Sequence, residues 1–253
     1  MKCIILSAGY ATRLYPLTKD FPKPLLEVGG KPILNHIVEN ALNVGQLNGI
    51  IIVTNDKFCS HFEDWLSRYS QTELFGQTPV TILNDGSKTN EERLGALGDL
   101  DLAVKSEDVD DECLVLAGDN LFDFSLSDFV NFFYQRRADC ITTHRLEDRK
   151  KLRQTGVIQM VGIGRVIDFE EKPKNPATFW AVPPIYLYRA ETLTKLLPQY
   201  LAEGNNADAP GLFIPWLLYK EPVYAFRFGG NRYDIGTLES YEAVKQMYET
   251  STL

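Results

Sequence analysis

The chain has 253 residues, enough for one large domain or two small ones whose core needs no covalent staples. Its 26 basic and 34 acidic side chains give a net charge of −8, which excludes a nonspecific nucleic-acid surface but leaves room for a local cationic pocket. No segment has the apolar length of a transmembrane helix, the opening "MKCIILSAG" is too short for a signal peptide, and Cys3, Cys59, Cys113 and Cys140 show no C-x-x-C spacing. These features predict a cytoplasmic protein with reduced thiols and no membrane or nucleic-acid partner.

In chain order, short β-branched runs predict buried strands at "CIILS" (3–7), "GIIIVT" (49–54), "VTIL" (80–83) and "CLVLAG" (113–118). Helical spacing separates them. "KPILNHIVENALNVG" places Ile33, Ile37, Ala41 and Val44 on one face and stops at Gly45, and "DKFCSHFEDWLSRY" and "NEERLGALGDLDLAVK" read likewise. This alternation predicts an α/β fold, a mostly parallel sheet with helices on both faces. From residue 156 the pattern changes: "GVIQMVGIGRVIDF" reads as a hairpin, followed by "FWAVPPIYLYR", helices around 190–202 and 208–219, the strand "VYAFRF" and a last helix from Leu238 to about Glu249. No repeat or linker interrupts the chain, so a single domain is the simplest organisation.

The stretch "LSAGYATRLYPLTKDFPKPLL" (6–26) follows the first strand, at the carboxyl edge where α/β sheets bind ligands. Small residues at Ser7, Ala8, Gly9 and Ala11 let backbone N–H groups approach a phosphate, and Arg13 and Lys23 add positive charge. Neither standard nucleotide motif is present. A dinucleotide fingerprint needs glycine where Ala11 and Leu14 stand, and no P-loop pattern occurs. A lone small-residue turn there reads as a strand-to-helix connection, but Arg13, Pro16, Thr18, Pro22, Lys23 and Pro24 together make an irregular, proline-stiffened loop unlike a simple connector. By residue type alone Lys23, between two prolines, reads as a solvated lysine.

Residues 6–34, "LSAGYATRLYPLTKDFPKPLLEVGGKPIL", closely resemble the opening of the sugar-1-phosphate nucleotidylyltransferases, roughly L-A-G-G-x-G-T-R-L-x-P-L-T-x-x-x-P-K-x-L-L-P-V-G-x-K-P, with Ala11 in place of a glycine. "CLVLAGDNLFDF" is similar to that family's L-x-G-D-N segment, "GRVIDFEEKPKNP" to its V-x-x-I-x-E-K-P segment, and "GNRYDIGTLESY" to its W-x-D-x-G-T segment, in the family's order. The resemblance implies a Rossmann-like, nucleotide-diphospho-sugar transferase fold over 1–253, with a nucleotide-binding half at about 1–150 and a sugar-phosphate-binding half at about 151–253. It is of the glucose-1-phosphate thymidylyltransferase-like short form, without a C-terminal β-helix. It also implies a chemistry: a sugar-1-phosphate oxygen attacks the α-phosphorus of a nucleoside triphosphate, and pyrophosphate leaves. The protein's task there is positioning and charge neutralisation.

Carried over residue by residue, the resemblance implies that Ala8, Gly9, Tyr10, Ala11, Thr12 and Arg13 cradle the triphosphate. Arg13 meets the β and γ phosphates, and Lys23 stabilises charge at the α-phosphate. Asp119 and Asp234 hold Mg²⁺, the implied cofactor, together with phosphates and water. They stand 234 − 119 = 115 residues apart, so only the fold can bring them together. By residue type alone, Asp119 reads as a cap or turn residue and Asp234 as part of the turn before the last helix.

The implied acceptor side consists of Gly156, Glu171 on the sugar hydroxyls and Lys172 on its phosphate. A charged strand end is the plainer reading of the last two. Thr155 replaces the family's tyrosine beside Gly156, and Pro183–Pro184 interrupt "AVPPIYLY" where glucose-1-phosphate thymidylyltransferases read A-V-T-G-L-Y, removing two backbone donors. Glucose specificity is therefore not carried over. The base is left open too. Asn90, five residues before Gly95, stands where thymidylyl and uridylyl enzymes have a glutamine, yet "NDGSKTNEERLGALGDL" also resembles the T-G-x-x-T-x-T-G-G-R-[LI] run of cytidylyltransferases, with Arg93 as its arginine.

His36, His61 and His144 are scattered without metal spacing, and Asp99 and Asp101 read as solvated acids of a helix. Three alternatives accompany the main reading: a cytidylyltransferase, a different phosphorylated alcohol as acceptor, and a catalytically weak nucleotide-sugar-binding regulator. A homo-oligomer is left open.

Overall fold

The structure, a computed structural model, describes residues 1–250. Two compact units share the chain in an interleaved way. The N-terminal unit takes Cys3–Arg93, Ala117–Leu126 and the chain from Gly230 onward; the C-terminal unit takes Met1–Lys2, Leu94–Leu116 and Ser127–Gly229.

In the N-terminal unit the strands Lys2–Leu6, Ile50–Thr54 and Val80–Asn84 pair in parallel, with Cys3 opposite Ile50 and Ile50 opposite Val80. The middle strand is buried at all five positions, which is why "IIIVT" shows no polar alternation. Helix Ile33–Leu42 buries Ile33, Leu34, Ile37, Val38 and Ala41, and Gly45, at φ +72°, ends the chain's helical course. A second, very short ladder matters more for function. Strand Asn120–Phe122 pairs antiparallel with Arg232–Asp234, setting Asp234 opposite Asn120.

In the C-terminal unit seven strands form a mixed sheet in the order Trp180–Val182, Gly156–Val161, Arg165–Glu171, Val223–Arg227, Asp139–Arg145, Ile185–Tyr188 and Cys113–Ala117. Among the described residues its one parallel pairing is Val223–Arg227 with Asp139–Arg145. The hairpin expected from "GVIQMVGIGRVIDF" is present, with Arg165 opposite Val161 and a bulge between Val166 and Asp168. The α/β class read from the sequence is the fold found.

Several boundaries differ from the sequence reading. The helix expected from Asn90 begins at Ala96, because Gly95 turns at φ +79° and cannot continue a helix backward. Residues around 190–202 form a π-helical stretch, Thr192–Leu196, running into helix Leu197–Ala202; those around 208–219 start as a 3₁₀ turn, Pro210–Leu212, before helix Phe213–Leu218. Asp99 is not a solvated acid: it lies in the first turn of helix Ala96–Ser106 and is 6 % exposed, at the end where the helix dipole favours a carboxylate. Among the described residues no helix is long and apolar enough to cross a membrane.

Candidate active site

In the N-terminal unit the loop after the first strand is tied from behind. The side chain of Asn55, fully buried, donates from Nδ2 to the carbonyl of Ala8 at 2.9 Å and accepts the N–H of Phe58 at 3.0 Å, so it links the loop to the start of helix Cys59–Tyr69. Tyr10 Oη donates to the carbonyl of Ser87 at 3.0 Å. Burial raises the Tyr10 pKa, which keeps its phenol protonated as a donor. Gly9 is exposed between these ties, and an added side chain there would meet nothing within 4 Å.

Ala11 takes the left-handed conformation, φ 49° and ψ 40°, immediately before the 3₁₀ turn Thr12–Leu14. That conformation costs an alanine about 1 kcal/mol or more. It is held by two bonds to the Ala11 carbonyl, from Leu14 N at 2.9 Å and Thr18 Oγ1 at 2.8 Å. The turn leaves Thr12 and Arg13 exposed.

Lys23 contradicts the solvated-lysine reading. Its residue is 9 % exposed, and its ammonium donates both to the Asp119 carboxylate and to the carbonyl of Ile235, the latter at 2.9 Å. Asp119 follows Gly118, whose N–H bonds the carbonyl of Leu6 at 2.9 Å, so it emerges beside the end of the first strand. Asn120 Nδ2 donates to the other Asp119 oxygen at 2.6 Å. Burial pushes the Asp119 carboxyl up, but the Lys23 charge and the bonds from Lys23 and Asn120 outweigh it and hold the group below the usual range, hence ionised.

Asp234 and Asp119 meet through the short ladder. Ile235 N donates to the carbonyl of Asp119 at 3.3 Å, and Asp234 is paired with Asn120. Arg232 braces the pair from the side, donating to Asn120 Oδ1 at 2.6 Å and standing 3.6 Å from Asp234 Oδ2. Gly236 brings Arg13 into the same group: a Cβ placed there would lie 3.4 Å from Arg13 Nη2 and 3.7 Å from Asp234 Oδ1. The four charged residues singled out in the sequence, Arg13, Lys23, Asp119 and Asp234, therefore converge.

The donor set suits a hard divalent cation. Two carboxylates, Asp119 in the turn before one strand of the ladder and Asp234 on the other, keep 29 % and 52 % of their side-chain surface open. Among the described residues no group of three or more His, Cys, Asp or Glu could form a closed cage. Such a donor set fits a cation of the Mg²⁺ kind, which takes one or two carboxylates and completes its shell with phosphate and water.

Asn90 lies in a turn and Arg93 just after it, neither on a helix, and Arg93 Nη1 donates to Asn90 Oδ1 at 3.0 Å. Gly95 belongs to the C-terminal unit, where a Cβ would fall 2.5 Å from the carbonyl oxygen of Ala207, so no other residue fits there.

The C-terminal unit gathers the remaining candidates. Glu171 is paired with Gly156 across the hairpin, and Lys172 N bonds the carbonyl of Thr155 at 3.2 Å. Lys172 has φ 49°, strain of a kind that persists in a non-glycine residue only where the surroundings impose it. Its side chain is 57 % exposed, and the ammonium stands 3.8 Å from Glu171 Oε1. Burial pushes the Glu171 carboxyl up, opposed by the charge of Lys172. Pro183 and Pro184 form a tight link to strand Ile185–Tyr188, with Ile185 N bonded to the carbonyl of Pro183 at 2.8 Å.

Sequence reasoning missed Asn55, Arg232 and Gly236, which act on backbone or on other site residues. "DIGT" carried a signal for Gly236, because it lies in the segment used to find Asp234.

Known proteins resemble the chain over all or most of its length. The uridylyltransferase AglF of Haloferax volcanii, a UTP–glucose-1-phosphate enzyme, is 27 % identical and aligns over 100 % of this chain and 98 % of its own length. The glucose-1-phosphate adenylyltransferase of Rhodopirellula baltica is 26 % identical over 94 % of this chain, which spans 58 % of that protein. A crystal structure from Bacillus anthracis, described as a glucose-1-phosphate thymidylyltransferase in complex with sucrose, superposes with a TM-score of 0.81 at 26 % identity, covering 98 % of this chain and 95 % of that one. A UDP-glucose pyrophosphorylase complexed with UDP-glucose shares the fold at a TM-score of 0.84 and 20 % identity, covering 99 % and 98 %. The family model for nucleotidyl transferases matches residues 2–251, and the chain belongs to the nucleotidyl transferase family.

Proposed function

We propose that the protein condenses a nucleoside triphosphate with a sugar-1-phosphate, giving a nucleotide sugar and pyrophosphate. The observation that carries this reading is the convergence of Lys23, Asp119, Asp234 and Arg13 on one short ladder beside the Ser7–Arg13 loop. Relatives named for this chemistry align over the whole chain or most of it. The setting is cytoplasmic, in keeping with four cysteines that form no disulfide among the described residues.

Backbone N–H groups around Gly9 face the triphosphate, and Arg13 neutralises its outer phosphates. Lys23, held in place by Asp119 and the Ile235 carbonyl, places one fixed positive charge where negative charge grows on the α-phosphate. Asp119 and Asp234 hold Mg²⁺, which when bound neutralises phosphate charge and orients the leaving pyrophosphate. On the acceptor side, Lys172 meets the sugar phosphate and Glu171 accepts from sugar hydroxyls, with Gly156 making room for the Phe169 ring and the Glu171 carboxylate.

One observation favours a cytidylyl reading over a uridylyl or thymidylyl one. Arg93 takes one of the two lone pairs of the Asn90 amide oxygen, so the pair presents more N–H donors than acceptors to a base. Donors match the N3 and O2 acceptors of cytosine, whereas the N3–H of uracil or thymine needs an acceptor.

The test is pyrophosphate release with each common triphosphate against a panel of sugar-1-phosphates and other phosphorylated alcohols, with Mg²⁺ and with chelator. Release with CTP above UTP and dTTP supports the cytidylyl reading; release with UTP or dTTP above CTP removes it. Nucleotide-sugar binding without release from any pair identifies a regulatory homologue instead.

A further inference from the structure

Glu171 ends its strand with the carboxylate seated between two glycines. An ideal Cβ on Gly211 falls 2.2 Å from Glu171 Oε2 and 3.2 Å from its Cδ, and one on Gly156 falls 3.4 Å from the same Oε2. The Phe169 ring fills the rest, its Cζ 2.8 Å from the Gly211 Cβ position and 2.5 Å from that of Gly156. Gly211 lies in the 3₁₀ turn Pro210–Leu212 and outside the positive-φ region, so its backbone is open to any residue. What excludes a side chain at 211 is the glutamate standing in its place, with the Phe169 ring edge close beside it.

The bend that carries Gly211 is anchored on both flanks. The carbonyls of Ala207 and Asp208 accept the N–H groups of Leu97 at 2.9 Å and Ala96 at 3.3 Å, closing the start of helix Ala96–Ser106. Tyr200 Oη bonds the carbonyls of Asn206 at 2.8 Å and Leu212 at 3.3 Å. With these bonds in place the bend cannot withdraw from Glu171, and a group added at 211 must displace the carboxylate instead.

We propose that Gly211 is a positioning residue for Glu171, and that the bend over residues 206–212 thereby decides which acceptor hydroxyls the carboxylate can meet. This rests on the reading of Glu171 as the acceptor-binding carboxylate. Apart from Phe169 and the glycines, the group standing close to that carboxylate is the Lys172 ammonium, 3.8 Å away.

The variant Gly211→Ala tests it. The Michaelis constant for the sugar-1-phosphate rises about tenfold, as expected when a binding group is moved by the order of 1 Å, while that for the triphosphate stays within about twofold. Adding Glu171→Asp, one methylene shorter, relieves the contact and recovers part of the acceptor affinity; the double variant also folds where the single one does not. A second readout needs no turnover: with ¹³C-labelled glutamate, the Glu171 carboxyl titrates above the ordinary range of about 4.3 in the wild type and moves toward it in Gly211→Ala. A wild type that releases no pyrophosphate from any pair sinks the assigned activity and leaves the carboxyl titration to judge Gly211. An acceptor constant unchanged in Gly211→Ala, or a Glu171 carboxyl that titrates alike in both proteins, overturns the proposal.

Discussion

The ammonium of Lys23 donates to the carboxylate of Asp119, 96 residues further along the chain, and holds it ionised against its burial. The pair ties the loop region to the strand end that carries the metal-binding candidate. Replacing Lys23 by Met leaves that carboxylate without its cation and lowers stability by about 2 kcal/mol, less than the loss for a fully buried pair because Asp119 keeps some solvent. Adding Asp119→Asn recovers part of the loss, and urea unfolding of the two single variants and the double measures the coupling. Additive losses contradict the pairing.

Ala11 occupies a left-handed position that costs a β-carbon about 1 kcal/mol or more. Ala11→Gly relieves the strain and adds chain entropy to the unfolded state, so the net stabilisation is about 0.5 kcal/mol. The urea midpoint rises at constant slope. A lower midpoint shows that the methyl packs favourably.

Ser7 and Gly118 make a second linked pair. The Ser7 hydroxyl is buried with no hydrogen-bond partner among the described residues, and it lies 2.1 Å from where a Cβ on Gly118 would stand. Gly118→Ala therefore destabilises by about 1–3 kcal/mol, and Ser7→Ala in the same chain restores much of it. Ser7→Ala alone is neutral or slightly stabilising, because it removes an unsatisfied buried polar group. Thermal melting of the three variants checks the pattern.

Burial pushes the Asp139 carboxyl up, against bonds from Arg189 N at 2.8 Å and Thr192 Oγ1 at 2.7 Å and the charge of Arg189. A raised carboxyl holds its proton in the folded state after the unfolded chain has released it near pH 4. The stability that Asp139 contributes is therefore greatest below pH 4 and falls as pH rises through the folded value. The stability of the wild type minus that of Asp139→Asn should decline over this window in pH-dependent urea unfolding; a difference that grows with pH contradicts the shift.

Much of this was legible in the sequence, and what was hidden has physical reasons. Long buried runs such as "IIIVT" and the helical face of Ile33, Ile37 and Ala41 announce themselves by composition and period. Asn120–Phe122 and Arg232–Asp234 do not, because three residues show no period, yet their pairing is what brings Asp119 to Asp234. Lys23 looked solvated because residue type and two prolines say nothing of a carboxylate that arrives from residue 119. Asn55 and Gly211 were invisible for a related reason: one works by bonding a distant backbone carbonyl, the other by having no side chain.

The most direct measurement of the central claim is Mg²⁺-dependent pyrophosphate release by the wild type, Asp119→Asn and Asp234→Asn, with folding of each checked by circular dichroism. The account predicts release that chelator abolishes in the wild type, and losses on the order of a hundredfold or more in both variants with the fold intact. Near wild-type release in either variant, or release that survives chelation, would contradict it.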